Sequence, residues 1–387
     1  MSLSLSEQVD VWESDVQMLL SRDPSLQEWR RRSWEAFTAL DFPSTKRFWP
    51  RAASLPVLDG KDFLSPHSLL FVDGFFQDHS LPKPFVALPL DAAMRSYGLF
   101  VQSQISRAIK EEKEPMAALN LALHGRGAFL YLPPGVHIEK PIELHHLISS
   151  AQMSSPYLQL VLGKGSSLSL IQRCRLLGEE SPFVNVRVDL SLDAGASLFW
   201  QDESSFSTGG FCSQALRAQL KRESRLHLLS LPQGAEENFS SFEVRLKEEG
   251  GSALIQSFAH LEGVASSTVS SMVEHVAPSC FSRQHVKTIL AGKSRSLFAG
   301  KILIRPEAQK SEAYQSSNHL LLSQEAHGAA DPHLEIFADD VKASHGATFS
   351  SLSEEELFYL ASRGVPREEA KTLLIRGFSR EILEERI

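Results

Sequence analysis

Histidine, cysteine and paired carboxylates are the side chains from which chemistry could be built in this chain, and few of them are spaced for it. The three cysteines, Cys174, Cys212 and Cys280, lie far apart with no CxxC pair among them. A zinc ribbon or a self-contained four-cysteine cluster site is therefore excluded. Their odd number and wide separation also argue against a disulfide framework and fit a reducing compartment, with buried thiols the ordinary expectation. His145 and His146 are adjacent; on a strand they point to opposite faces and cannot share one metal ion. Ala291-Gly292-Lys293-Ser294 resembles the end of a phosphate loop, but Lys287 stands where the first glycine is needed and no helix follows, so a turn between strands is expected. No Gly-x-Ser-x-Gly elbow occurs. What remains is Asp339-Asp340, five residues before His345 in LEIFADDVKASHGAT, where polar residues crowd between strands. His345 is the candidate functional residue, although an isolated histidine is more often structural.

Composition narrows the partners. Of 387 residues, 42% are hydrophobic and 22% charged, and 39 Lys plus Arg against 47 Asp plus Glu give a net charge of −8. A nucleic-acid binder usually carries a basic excess or face; here the one dense basic cluster is Arg30-Arg31-Arg32, inside an amphipathic stretch. No run approaches the ~20 apolar residues that span a bilayer, and the first residues have neither the basic nor the apolar part of a secretory signal. Nucleic acid and membrane are thus not expected partners, and the cytoplasm is the expected location.

The elements that must position these residues fall into three zones. Residues 1–115 read as mainly helical: a helix capped by Ser6 with Val9, Trp12, Val16, Leu19 and Leu20 on one face, a break at Asp23-Pro24, a second helix through Leu26, Trp29, Ala36, Phe37 and Leu40, irregular Pro-rich sequence over 43–66, a hairpin turning at Asp73-Gly74, and one helix from Met94 to Ile109. Residues 116–349 change period from 3.6 to 2, as in Val184-x-Val186-x-Val188-x-Leu190-x-Leu192 and Phe242-x-Val244-x-Leu246. Within them VLGKGSSLSL, SLDAGASLFW, QLKRESRLHL and RLKEEGGSALI share one shape, aligning Leu168, Leu198, Leu226 and Leu254 at spacings of 30, 28 and 28, with Leu297 a further 43 along. A period of that size marks a solenoid, each unit burying its apolar face on the next; an evenly turned β-sandwich is the rival. Residues 350–387 return to helix: Ser353 and Glu356 form a capping box, Gly364 stops the first helix, Pro366 opens the second, and Ala370, Leu373, Leu374, Gly377 and Phe378 form an apolar stripe. That stripe must cover either the solenoid or another protein.

The segments CFSRQHVKTILAGKSRSLFAGKILI, SSNHLLLS and PHLEIFADDVKASHGATFSSLSEEELFYLASRGV, together with LLFVDGFF and FLYLPPGVHIEKPIEL, resemble the SufB/SufD family of the SUF iron–sulfur cluster assembly system. The likeness runs from about residue 60 onward. It is greater to the SufD members, because SufB members typically carry glutamate where Gly346 stands. The resemblance implies a mainly β protein with a right-handed parallel β-helix core, flanked by an N-terminal α/β region and a C-terminal helical region. It implies a scaffold rather than an enzyme, working as a SufB–SufC2–SufD complex. A SufB-like subunit would meet the last strands, about 333–348, through Glu335, Phe337, Val341 and Ala343. A SufC-like ATPase would dock on the terminal helices through Leu357, Phe358, Leu360, Leu373, Leu374 and Phe378. No cofactor would be held stably; a transient iron–sulfur cluster would be shared with the SufB-like subunit, with His345 as its metal ligand or proton-handling group. Two departures bear on this. Ala343 stands where family members often have cysteine, leaving His345 alone, and DFPSTKRFWPRAA keeps only Lys46 and Trp49 of the usual Glu-x-Trp-Lys-Tyr motif. The alternatives are a homodimeric structural protein using the same edge and a β-helix carbohydrate-active enzyme.

Overall fold

A strand in a parallel solenoid completes its backbone hydrogen bonds only with the turns before and after it, so register between turns governs the whole fold. The structure, a computed structural model, describes residues 5–22, 26–40, 50–53, 61–150, 152–178, 181–206 and 209–384. Its core is a β-solenoid made of two facing ten-stranded sheets. Among the described residues, antiparallel pairs occur only where the stack begins: Ser68–Val72 with Phe75–Ser80, and Val86–Pro89 with Ala128–Leu132. Asp73 and Gly74, both at positive φ, make the tight turn expected of that first hairpin. From there each successive strand joins its sheet in parallel, one turn further along. Sheet one ends in Lys342–Ser351 and sheet two in His327–Ile336.

The observed register corrects the repeat alignment at one point. Leu168, Leu198 and Leu226 are indeed partners across neighbouring strands, but Leu226 pairs with Ala253, and Leu254 pairs with His227. Ala253 and Ile255 therefore face the lumen while Leu254 points out, because a one-residue slip exchanges the faces of a strand. The ladder continues from Ala253 through Ser282 and Ala313 to Ala343. Leu297 is on Arg295–Ile304 of the opposite sheet, which is why it falls one and a half periods away. The alternating Val184–Leu192 and Phe242–Leu246 series do line the lumen, in one continuous apolar cluster.

Turns keep the stack in step. At one corner a residue in the left-handed region recurs every turn, as Gly165, Gly195, Glu223, Gly250, Ser279 and Lys310. Each N–H bonds to a carbonyl of the next turn, for example Gly195 N to Arg222 O at 2.8 Å and Lys310 N to Asp340 O at 2.6 Å. The Gly292 turn belongs to another corner and links two strands, as expected.

Helices cover the outside. Helices α1 (Leu5–Arg22), α2 (Gln27–Thr38), α3 (Leu90–Ser96), α4 (Gly98–Glu111) and α5 (Pro115–Leu123) precede or interrupt the first turns. Ser6 lies inside α1 rather than at its cap. The single helix expected over 94–109 is two, meeting at Tyr97. Asp23, Pro24, Lys46, Trp49 and residues 54–60 lie outside the described residues. Helix α5 has no amphipathic signature because it is buried on every side, packing with Trp12, Val16, Trp34 and Phe37 against Phe183 and Phe211 of sheet two. The basic cluster is engaged within the chain. Buried Arg30 donates to the carbonyls of Ala122, His124 and Gly125 at the end of α5 (3.2, 2.6 and 2.9 Å), and Arg31 bonds Glu28 and Glu35.

One buried ion cluster fastens these helices to the solenoid. Glu112, just beyond α4, accepts from Arg187 at 2.5 Å and from Arg217 at 2.9 Å, and Arg187 also meets Asp189 at 3.0 Å. Burial alone would raise the Glu112 pKa, but the two guanidinium groups outweigh it and hold the carboxyl well below the ordinary carboxylate range. Glu112→Ala leaves two arginines short of their buried counter-ion, and a loss of roughly 3–5 kcal/mol is expected in urea unfolding of the full chain. A loss below about 1 kcal/mol, the worth of a surface pair, would show that the cluster does not fasten the helices.

Candidate functional site

The end of the rod leaves two strand edges open. Lys342–Ser351 pairs with Glu312–Leu321 on one side, and His327–Ile336 pairs with Arg295–Ile304; neither has a partner on its other edge among the described residues. Every residue of these two strands is exposed or half-buried, in contrast to the preceding turns. Apolar side chains lie there too, Phe337 at 59% and Phe349 at 47% exposure. Of the residues expected to face a partner, Phe337 projects freely, while Glu335 is held by Lys301 at 2.7 Å. Val341 and Ala343 are half-buried against Ile304, Ala308 and Ala313.

Toward this end a polar column runs along the lumen face of sheet one. Gln284, Gln315 and His345 are register partners on three successive strands of sheet one, so they share the inward face. Gln284 donates through Nε2 to the Lys301 carbonyl at 3.2 Å, and Gln315 donates through Nε2 to Gln284 Oε1 at 3.1 Å. His345, on the last strand, is exposed at the open mouth. A second polar step runs beside it. His319 is hydrogen-bonded to Thr288 at 2.5 Å and to Ser317 at 2.8 Å, and stacks on Phe349 with ring centroids 4.8 Å apart. Burial lowers the His319 pKa to about 4, so that ring is neutral at physiological pH.

The terminal helices divide their apolar residues between two faces. Ser353 caps α6 (Glu354–Ser362) by accepting from Glu356 N, and Gly364 at φ +85° ends it. Pro366 sits at the cap of α7 (Arg367–Glu384) rather than in its first turn, since its carbonyl takes the first helical bond, from Ala370 N. Leu357 and Ala370 are buried in the α6–α7 pair. Helix α7 lies on the outer face of Ser252–Leu261 and Phe281–Leu290. There the buried Lys287 bonds the Phe378 carbonyl at 3.0 Å and the Glu381 carboxylate, with its ammonium 4.8 Å from the Phe378 ring centroid. Leu360, Leu374 and Phe378 are half-buried, whereas Phe358 is 75% exposed and Tyr359 and Leu373 are exposed as well. The first of the two possibilities left open for the stripe is thus realised in part: one side covers the solenoid, and the other is uncovered among the described residues.

Elsewhere the candidate chemistry is structural. His146 faces the lumen against Phe71 and His145 faces out to Glu143 at 3.1 Å. Cys174, Cys212 and Cys280 are free, buried thiols, and burial raises the Cys174 pKa to about 12. Among the described residues, no three His, Cys, Asp or Glu side chains converge as a metal site.

Residues 146–378 match the family profile described as SUF system FeS cluster assembly, SufBD core domain, and residues 64–144 match the SufBD protein N-terminal region. The chain belongs to the SufB/SufD family. Its similarity to a SufBD family protein of Synechocystis is 25% identity over 382 residues, covering 93% of this chain and 82% of the relative. The SufD of Escherichia coli is 41% identical over 112 residues, which cover 29% of this chain and 26% of that protein. The SufD of Bacillus subtilis is 25% identical over 299 residues, 76% of this chain and 68% of that protein.

Within this SufB/SufD chain, the sequence singles out His345 as a candidate but not Gln284, Gln315, His319 and Phe349, which share its lumen face. The signal was present: stepping back from His345 by one turn and then another, 30 and 31 residues, reaches Gln315 and Gln284. Lys287 was missed because nothing local shows that a strand lysine clamps a helix 91 residues later. Lys287→Met, which keeps the stem and removes the charge, is expected to increase amide exchange across α7 while leaving the solenoid strands protected. Unchanged exchange over 370–384 would remove Lys287 from that role.

Proposed function

We propose that this chain is a SufD-like scaffold subunit of a cytoplasmic SUF complex, not an enzyme. In this reading it pairs with a SufB-like subunit through the open ends of its two sheets. The observation that carries it is the pair of unpaired ten-residue strand edges with exposed Phe337 and Phe349 at one end of the rod. Unpaired strand edges recruit further strands unless they are blunted, and strand addition supplies affinity through main-chain bonds. A SufC-like ATPase takes the exposed face of the terminal helices around Phe358, Tyr359 and Leu373. Nucleotide-driven motion of that ATPase then reaches the SufB-facing end through α7 and its anchorage at Lys287.

The nascent iron–sulfur cluster is cargo in this scheme, assembled at the subunit junction and not retained. His345 is the side chain this subunit contributes, as a nitrogen ligand or a proton carrier; a neutral imidazole can do either. His345→Ala in the reconstituted three-protein complex is expected to lower the iron and sulfide recovered while the complex still assembles. Cluster formation at the wild-type level would take His345 out of the chemistry.

Phe358→Asp places a charge on the uncovered helical face and leaves the buried Leu357 and Ala370 unchanged. Loss of co-purification with the ATPase is expected, with pairing to the SufB-like subunit retained. A folded variant that still co-purifies with the ATPase overturns the docking assignment. The same edges could join two copies of this chain, and a homodimer that persists when the SufB-like subunit is added in excess would favour that second reading.

A further inference from the structure

The polar column in the lumen has a direction. The Lys301 carbonyl can only accept, so the Gln284 amide must present its NH2 group to it, which leaves Gln284 Oε1 as an acceptor. Gln315 must then present its own NH2 to Gln284. That leaves Gln315 Oε1 buried and without a hydrogen-bond partner among the described residues. An unmet buried carbonyl is costly and normally finds a donor. The next residue on the same inward face is His345, one strand away in register, about 4.8 Å along the stack.

Space around the amide is arranged to hold it there. Gly300, on the opposing sheet, has an ordinary φ, so no backbone strain calls for glycine at this position. A Cβ on Gly300 would come within 2.1 Å of Gln315 Nε2 and 2.4 Å of the Phe298 ring. The missing side chain is what admits the glutamine.

We propose that Gln315 is a positioning residue for His345: its Oε1 accepts the N–H of the lumen-facing ring nitrogen and thereby leaves the outward nitrogen with a free lone pair. A carbonyl oxygen cannot donate, so a neutral imidazole bonded to it must carry its proton on that side. Outer partners that fix tautomer in this way commonly orient histidine ligands. The outward nitrogen is then ready to accept an iron centre of the cargo or a proton. The purpose of the arrangement rests on the scaffold reading above; the arrangement itself does not.

The test is the tautomer of His345 in the full-length chain, labelled with nitrogen-15 in its histidines and measured at pH 8, with His345→Ala assigning the resonances. One neutral tautomer is expected to outweigh the other by about fivefold or more, the factor that one net hydrogen bond carries. Gln315→Met keeps the length and removes the acceptor, and is expected to shift that ratio severalfold toward the one an unbonded, exposed histidine shows. Gly300→Ala, which displaces the amide, is expected to do the same, and Gln315→Glu, which restores an acceptor, to recover the single form. An even mixture in the wild-type chain overturns the proposal without any variant, as does an unchanged ratio in Gln315→Met. The two readings fail separately. A tautomer that responds to Gln315→Met alongside normal cluster formation by His345→Ala removes the cluster role and keeps the positioning. An unresponsive tautomer alongside a defective His345→Ala complex does the reverse.

Discussion

The parallel backbone ladder between successive turns is the interaction on which everything else in this molecule depends. Beyond the antiparallel pairs at the start, each strand has two edges and no hairpin partner, so its N–H and C=O groups are satisfied only by equivalent strands one turn away. The ladder also dictates which side chains meet. Residues about 30 apart in sequence become neighbours on one face, which turns a scattered set such as Ala253, Ser282, Ala313 and Ala343 into a column. The positive-φ residues of one corner, from Gly165 to Lys310, reinforce this, since each passes a backbone bond to the following turn.

A ladder that propagates must also stop, and its two ends stop differently. At the start, antiparallel strands and the helices of the first zone close the stack. At the far end the ladder is left open, with no strand or helix laid over the last rung among the described residues. The same end carries a column of polar lumen residues. Polar residues already enter the lumen early, as His146, Gln172 and Asp202 do, whereas in the last turns Gln284, Gln315, Ser317, His319 and His345 stand in register beside apolar Phe298, Ile302 and Ala313. Buried polar groups cost stability unless paired, so a polar column leading to an open mouth is better explained by a requirement at the mouth than by packing.

The outer faces carry the links between zones. On sheet two the Glu112–Arg187–Arg217 cluster ties the helical first zone down, and on sheet one Lys287 holds α7. Both anchors lie on outward positions of strands, where register places a charge opposite a helix that is remote in sequence. The terminal helices are thereby fixed on one side and free on the other, with Phe358 and Leu373 in the open.

Periodicity, turn residues and caps made the solenoid, its flanking helices, the Asp73-Gly74 hairpin and the Ser353 and Gly364 helix boundaries legible from the sequence, because each of these is a local preference written within a few residues. Helix α5 was not legible, since a helix buried on all sides loses the alternation that reveals it. The slip at Leu254 was hidden because turn lengths vary by a residue or two, and only backbone pairing decides which residue lies opposite which. His345 could be singled out by its own segment. Its neighbours could not, because the sequence orders residues along the chain while the lumen orders them across it, and what lies across is decided by the register of the folded stack.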